Sequence, residues 1–224
     1  MTDNTDARLA DGEIFADFID WRTDHPGDDL TTELLNAEFV DETGTTRKLH
    51  RDELLMFMKV VAVAGSETTT RLIGWSGKLL SEHPDQRRRL VDDRSLLPGA
   101  IEELLRFEPP ALQAARYVTR DIEFHGATVP KGSAILTLIG AANRDERRFG
   151  EDAEAFDVTR VPRQHLTFGV GAHYCLGNAL ARIEGRIALD EIMNRFPDWE
   201  VDLDAAVFSS SSAVRGWDSM PAHV

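Results

Sequence analysis

Apolar residues recur at helical spacing along most of the chain, and proline or glycine marks the breaks between runs. In the first run Ile14, Phe15, Phe18 and Ile19 form one stripe of a helix that Asp11 can cap and His25-Pro26-Gly27 ends. A short helix over Leu30 to Ala37 and a polar turn near Gly44 follow. From Asp52 to about Glu82 no proline interrupts mostly helix-forming residues, which predicts one long central helix of roughly 30 residues, on the order of 45 Å. Its middle, Ala64-Gly65-Ser66-Glu67-Thr68-Thr69-Thr70, is poor helix sequence. Hydroxyls there can bond back to the carbonyl four residues earlier, Thr68 to Ala64 for example, and bend the helix. A local defect in a buried spine often marks a functional site. Glu67 and Arg71 also stand i,i+4 with the acid first, the spacing of an exposed salt bridge.

After Pro84 a basic helix over Asp85 to Asp92 leads to Leu97-Pro98-Gly99, and a further helix runs from about Gly99 to Phe107, ended by Pro109-Pro110. It carries Glu103 and Arg106 one turn apart. Residues 116 to 139 change character: Tyr117-Val118, Ile122 to Phe124 and Thr128-Val129 are short extended runs with a turn at His125-Gly126, and Lys131-Gly132 leads into Ser133 to Ile139. This predicts a small, mostly antiparallel β region. Leu180, Ile183, Ile187 and Ala188 then recur at helical spacing until Pro197, and the tail reads as short strands around Ser209 to Ser212. The class is mainly α with a small β region (α+β).

Composition narrows the function. A chain of 224 residues with 42% hydrophobic content can bury a core, and a net charge of −14 argues against nucleic acid and anionic membrane surfaces. A single cysteine permits no internal disulfide, so a reducing cytoplasm is expected. Met1 to Asp11 lacks the basic and apolar regions of a signal peptide, and the longest apolar run, Leu54 to Gly65, is broken by Lys59 and too short to span a bilayer. The charge is uneven: residues 1 to 50 hold 13 acidic and 4 basic side chains, whereas Arg144 to Arg186 holds 7 of each.

The cysteine-bearing part is therefore the less acidic one. Cys175 lies between glycines at the mouth of the last helix, where unpaired backbone N–H groups and the positive end of the macrodipole favour a thiolate. Gly171 and Gly177 let the backbone approach something flat. A lone cysteine is otherwise a small buried hydrophobe. A nucleophile paired with His173 has poor geometry two residues away, and zinc lacks a second ligand pair.

Phe168, Gly171, His173, Cys175 and Gly177 satisfy F-x-x-G-x-H-x-C-x-G, and with this pattern the chain resembles the cytochrome P-450 family of haem-thiolate monooxygenases. The resemblance implies haem b with Cys175 as the axial thiolate, a ligand that pushes electron density toward O–O cleavage. It implies that His173 sits by a haem propionate, that Phe168 packs near the sulfur, and that Gly169, Gly171 and Gly177 shape the loop below the ring. Ala64-Gly65-x-Glu67-Thr68-Thr69 matches the family's distal segment. Thr68 would then hydrogen-bond the oxygen ligand or its water, Glu67 would join the proton relay, and Ala64 and Gly65 would leave room beside the ring. Glu103 and Arg106 match the family's E-x-x-R pair, which a further arginine joins, Arg160 being the candidate. Arg116 falls where the family places a propionate arginine; a surface arginine at a strand start is the alternative. The turn at Ser209 to Ser212 would reach toward the substrate.

The resemblance covers nearly all of this chain but only the C-terminal, haem-binding half of the family's fold, so 1–224 is expected to be a single partial, truncated domain whose former interior is exposed. Three motifs in the family's order imply an oxidoreductase that inserts one oxygen atom from O2 into a small, apolar organic substrate. Its electrons would come from a ferredoxin and ferredoxin reductase or a flavoprotein donor. Arg144, Arg147, Arg148, Arg163, Arg182 or Arg186 would help dock that donor, ordinary surface charge being the alternative. The alternative function is a non-catalytic haem-binding remnant or interaction module.

Overall fold

The computed structural model describes residues 13–161, 163–211 and 214–224. Asp11, the expected cap of the first helix, and Ser212, in the expected C-terminal turn, lie outside the described residues. The chain divides into two compact units, Met1–Ser66 and Glu67–Val224, with the boundary inside the longest helix.

In the first unit α1 (Glu13–Asp24) stacks Trp21 between Phe18 and His25, at ring distances of 6.1 and 5.0 Å. Asp29 caps α2 (Leu30–Asn36) by accepting the Thr32 N–H at 2.9 Å. The stretch read as a polar turn is a hairpin of β1 (Glu38–Val40) and β2 (Thr46–Lys48). Asp41 stabilises it by accepting the Thr43 and Thr45 N–H groups at 2.9 and 3.0 Å, and Gly44 supplies φ +83°. The long helix α3 (Arg51–Glu82) starts where Glu53 reaches back to the His50 N–H at 2.8 Å, a capping-box contact.

α3 is helical without interruption through Ala64–Thr70, and its middle is not buried as expected: Val60 to Ser66 are exposed, Val63 to 68%. The apolar side chains of Val60 to Ser66 find no core to enter, although Leu54 earlier in α3 is buried, so this middle stretch is not a buried spine.

The second unit holds the larger core. α4 (Pro84–Asp92) and a 3-10 turn (Arg94–Leu96) lead into α5 (Leu97–Phe107), which starts two residues before Gly99 because Pro98 suits a helix's first turn. Leu97, Ala100, Ile101, Leu104 and Leu105 fall at i, i+3, i+4, i+7 and i+8 and are all buried. They meet Leu72, Leu79 and Leu80 of α3 and the last helix, α8 (Asn178–Arg195).

α8 reaches this core by its small and long residues: Gly185, Leu189 and Met193 are buried. A Cβ on Gly185 would stand 3.0 Å from Leu72 Cδ2 and 3.2 Å from Ile101 Cδ1, so glycine sets the helix spacing. The stripe that announced this helix, Leu180, Ile183 and Ile187, is exposed instead. α8 is apolar on two faces, and only one meets this core.

The β region consists of two-stranded sheets. β3 (Gln113–Tyr117) pairs antiparallel with β6 (Ala134–Leu138), Ala115 opposite Leu136. The strand thus begins earlier than Tyr117, because its backbone groups pair with β6. Ile139 leaves the extended run and opens the helical turn α6 (Ile139–Ala142). β4 (Ile122–Phe124) and β5 (Ala127–Val129) form a hairpin whose turn residues His125 and Gly126 have φ +50° and +80°, as a two-residue turn of the primed type requires. A further helical turn, α7 (Glu146–Phe149), precedes the cysteine loop. The tail pairs β7 (Glu200–Val201) with β10 (Ala222–His223), and β8 (Val207–Phe208) with β9 (Trp217–Ser219). β8 and β9 thus flank the segment that begins at Ser209, as the short strands expected around it do.

Candidate functional site

The cysteine loop is built backward from α8. Gly169 and Gly171 take φ +70° and +66°, and a Cβ on Gly169 would stand 3.2 Å from the His173 carbonyl, so both turns need glycine. Gly171–His173 form a 3-10 turn closed by the Tyr174 N–H on Gly171 O at 3.0 Å. The chain then doubles back, and the Cys175 N–H donates to Phe168 O at 2.8 Å. Phe168 is buried in the core, and Cys175 packs against that core half-buried. The carbonyl of Cys175 accepts the Asn178 side-chain amide at 2.8 Å. His173 and Gly177 are exposed, and a Cβ on Gly171 or Gly177 would meet nothing within 4 Å.

One apolar cleft is lined by Thr68, Thr69 and Leu72 of α3 and by Phe168 and Cys175. The structure thus brings together the threonine of one motif and the sulfur of another. Glu67 is partly exposed on the same helix, and Arg71 Nη2 stands 3.5 Å from its Oε1. Arg71 is itself buried, and its stronger contacts are Trp217 O and, at 3.0 Å, Asp218 Oδ1. The expected surface pair is therefore the lesser of its bonds. Ala64 and Gly65 are exposed residues of α3 in the first unit.

The donor set of the cleft is a single thiol: among the described residues no group of three or more His, Cys, Asp or Glu side chains is placed to hold a metal ion. One sulfur, an apolar surround and glycine backbone facing open space suit a flat metal complex that brings its own remaining ligands. The residues present fit haem.

α5 also carries a buried ionic cluster. Glu103 Oε2 accepts Arg106 Nε at 2.7 Å, and Oε1 accepts Arg106 Nη2 at 2.8 Å, Arg160 Nε at 3.2 Å and the Asp157 N–H at 3.0 Å. Arg106 is further held by the carbonyls of Asn143, Ala153 and Ala155. Burial disfavours the charge on Arg160, but bonds to Asp152 and Glu103 prevail and raise its pKa.

Arg116 faces solvent on β3 opposite Ile135, with Nη1 on its neighbour's carbonyl, Ala115 O. Of the arginines considered for docking, Arg144 is tied to Glu108 and Phe107 O and lies 4.0 Å over the Phe107 ring. Arg182 is tied to Glu102. Arg147 pairs with Asp145, and Arg163 donates to Arg148 O. Sequence reasoning passed over three side chains near the loop. Glu102, His165 and Asn178 converge on it, and only the i,i+4 spacing of Asn178 and Arg182 gave a sign of this.

Among the described residues no helix is long and apolar enough to cross a membrane. The family model for cytochrome P-450 matches residues 19–208. The chain is 43% identical over 210 residues to cytochrome P-450 130 of Mycobacterium tuberculosis, covering 94% of this chain and 51% of that protein. It is 39% identical over 207 residues to the 6-deoxyerythronolide B hydroxylase of Saccharopolyspora erythraea, covering 92% and 50%. Among solved structures it is similar to a post-tailoring hydroxylase involved in himastatin biosynthesis, with TM-score 0.86 and 38% identity over 95% of this chain and 56% of that one. The chain spans about half the length of the curated relatives it matches. With the match reaching across the helices, the cleft and the cysteine loop, the chain belongs to the cytochrome P-450 family.

Proposed function

We propose that this chain is the haem-thiolate portion of a cytoplasmic monooxygenase that inserts one atom of O2 into a small, apolar organic substrate. The observation that carries the reading is that Cys175 and Thr68 line one cleft in which Cys175 is the single thiol donor. Haem b, when bound, supplies the activation of oxygen and its insertion into the substrate. Cys175 would hold the haem iron through its thiolate, and its backbone is held by Phe168 O and Asn178. The Thr68 hydroxyl holds a proton at the oxygen side of the cleft, and the Glu67 carboxylate, partly exposed, takes protons from solvent and passes them inward. Phe168 keeps water from the sulfur. His173 and Arg116 would hold the propionates, Ala64 and Gly65 would leave room beside the ring, and Gly169, Gly171 and Gly177 shape the loop. Glu103, Arg106 and Arg160 lock the core. Two electrons from a ferredoxin or flavoprotein and two protons reduce the second oxygen atom to water, and the arginines of the cysteine-bearing part help dock the donor. The 224 residues then form one partial domain of the complete enzyme.

The test is the reduced carbon monoxide difference spectrum of the chain supplied with haem. A strongly red-shifted Soret band that Cys175→Ala abolishes supports the reading, and haem bound with an unshifted band in both refutes it. A second reading, a haem-binding remnant without turnover, draws on the half-length match and on the exposed Leu180, Ile183 and Ile187 of α8. Product formation with a redox partner and a substrate panel separates the two.

A further inference from the structure

Cys175 is tied to the core by a chain of side chains that none of the family motifs above includes. Glu102 of α5 accepts Arg182 Nε at 2.6 Å and Nη2 at 3.0 Å, a two-pronged charge-assisted pair. Arg182 Nη1 donates to Asn178 Oδ1 at 2.8 Å, and Asn178 Nδ2 donates to Cys175 O at 2.8 Å. The same guanidinium lies 4.5 Å over the ring of Phe168, whose carbonyl accepts the Cys175 N–H. One cation therefore steadies both neighbours of the cysteine backbone.

His165 stands on the other side of Glu102. The Thr167 N–H donates to His165 Nδ1 at 3.3 Å, and His165 Nε2 lies 3.2 Å from Glu102 Oε2 as a close polar contact. His165 is buried and its ring lies 5.8 Å from that of Phe168. Burial opposes the charge on Glu102, yet the nearby His165 ring and the Arg182 guanidinium outweigh it and hold the carboxyl at about 2. The carboxylate is thus a permanent anion balancing a permanent cation beside the cysteine loop.

We infer that Glu102, Arg182 and Asn178 are positioning residues that hold the Cys175 backbone in register and balance charge beside the cysteine loop. The first half of this inference concerns the loop alone; the second rests on the haem-thiolate reading. A bond acting in series predicts non-additivity, because breaking either link frees the same carbonyl. A balanced pair predicts opposite effects when either charge is removed. Glu102→Gln leaves a net positive charge beside the cysteine loop and favours the reduced, more negative iron site, whereas Arg182→Gln leaves a negative charge and disfavours it.

Hydrogen exchange on the protein with and without haem tests the loop. Asn178→Ala and Arg182→Lys are each expected to speed exchange of the Cys175 amide about tenfold, the equivalent of one charge-assisted hydrogen bond, with Leu189 in α8 as the internal reference. The double variant is expected to exchange no faster than Arg182→Lys alone, because Arg182 acts both through Asn178 and over the Phe168 ring. Exchange at Cys175 that rises only in step with Leu189, or single effects that add, overturns the clamp. In the haem-loaded protein the midpoint potential is expected to rise in Glu102→Gln and fall in Arg182→Gln with the red-shifted carbon monoxide band retained. Shifts of one sign, or none, overturn the charge balance. A wild-type chain that binds haem with no red-shifted band defeats the haem-thiolate reading and the charge balance with it, while the exchange measurement still decides the clamp.

Discussion

Replacing Glu103 by alanine is the most direct test of what holds the second unit together. The glutamate is 2% exposed and Arg106 3%, so neither charge has water to fall back on. The substitution removes the Arg106 bonds at 2.7 and 2.8 Å, the Arg160 bond at 3.2 Å and the Asp157 N–H bond at 3.0 Å. Arg106 keeps three backbone carbonyls through its Nη atoms, but its Nε loses Glu103 and the buried guanidinium is left without an anion, while Arg160 keeps Asp152 at 3.0 Å. Removing one member of a buried ionic set costs about 3 to 5 kcal/mol, a large share of the roughly 5 to 15 kcal/mol that holds a typical domain. Glu103→Gln keeps the volume and an acceptor oxygen and is expected to cost less, about 1.5 to 3 kcal/mol. Urea unfolding followed by circular dichroism measures both, provided the slope with denaturant is unchanged. A cost for Glu103→Ala of about 1 kcal/mol or less, the value of a surface pair, would refute the reasoning.

Three further outcomes follow from the same coordinates. Thr68→Ala is expected to leave haem bound while electrons are diverted from product to peroxide or water; an unchanged ratio of product to electrons consumed removes the role given to Thr68. Because Glu102 is held at about 2, below its ordinary 4.5, the folded state releases its proton more readily. Its contribution, about 3 kcal/mol, is present above pH 4.5 in the wild type and lost as pH falls toward 2. In Glu102→Gln the acid limb of a stability-against-pH curve should flatten, and an unaltered limb contradicts the assignment. Gly185→Ala places a methyl 3.0 Å from Leu72 and 3.2 Å from Ile101, both buried. Overpacking of about 1 to 3 kcal/mol should exceed the helix-propensity gain of about 1 kcal/mol, so thermal unfolding should occur at lower temperature; a rise would show that the helices have room.

Much of this protein is local and therefore readable along the chain. The apolar spacing of α5, the glycines on either side of Cys175 and the turn at His125-Gly126 are each specified within about ten residues, because capping, periodicity and left-handed backbone are local properties. The one-turn spacing of Glu103 and Arg106 was legible, and so was Arg160 as a candidate partner. What was not legible is which partner wins when a side chain has two. Arg71 was placed by spacing beside Glu67, but the fold brings Trp217 and Asp218 to it from the far end of the chain. Arg182 looked like a surface arginine until Glu102, 80 residues away, came within 2.6 Å. The apolar stripe of α8 identified the helix but left open which face packs on this core, since periodicity gives the angle between side chains and not which face finds a neighbour. By itself the sequence determined the helices, the cysteine loop and the family; the tertiary structure decided which charges are buried together and how the loop is held, because those bonds close only when segments far apart in sequence are packed against one another.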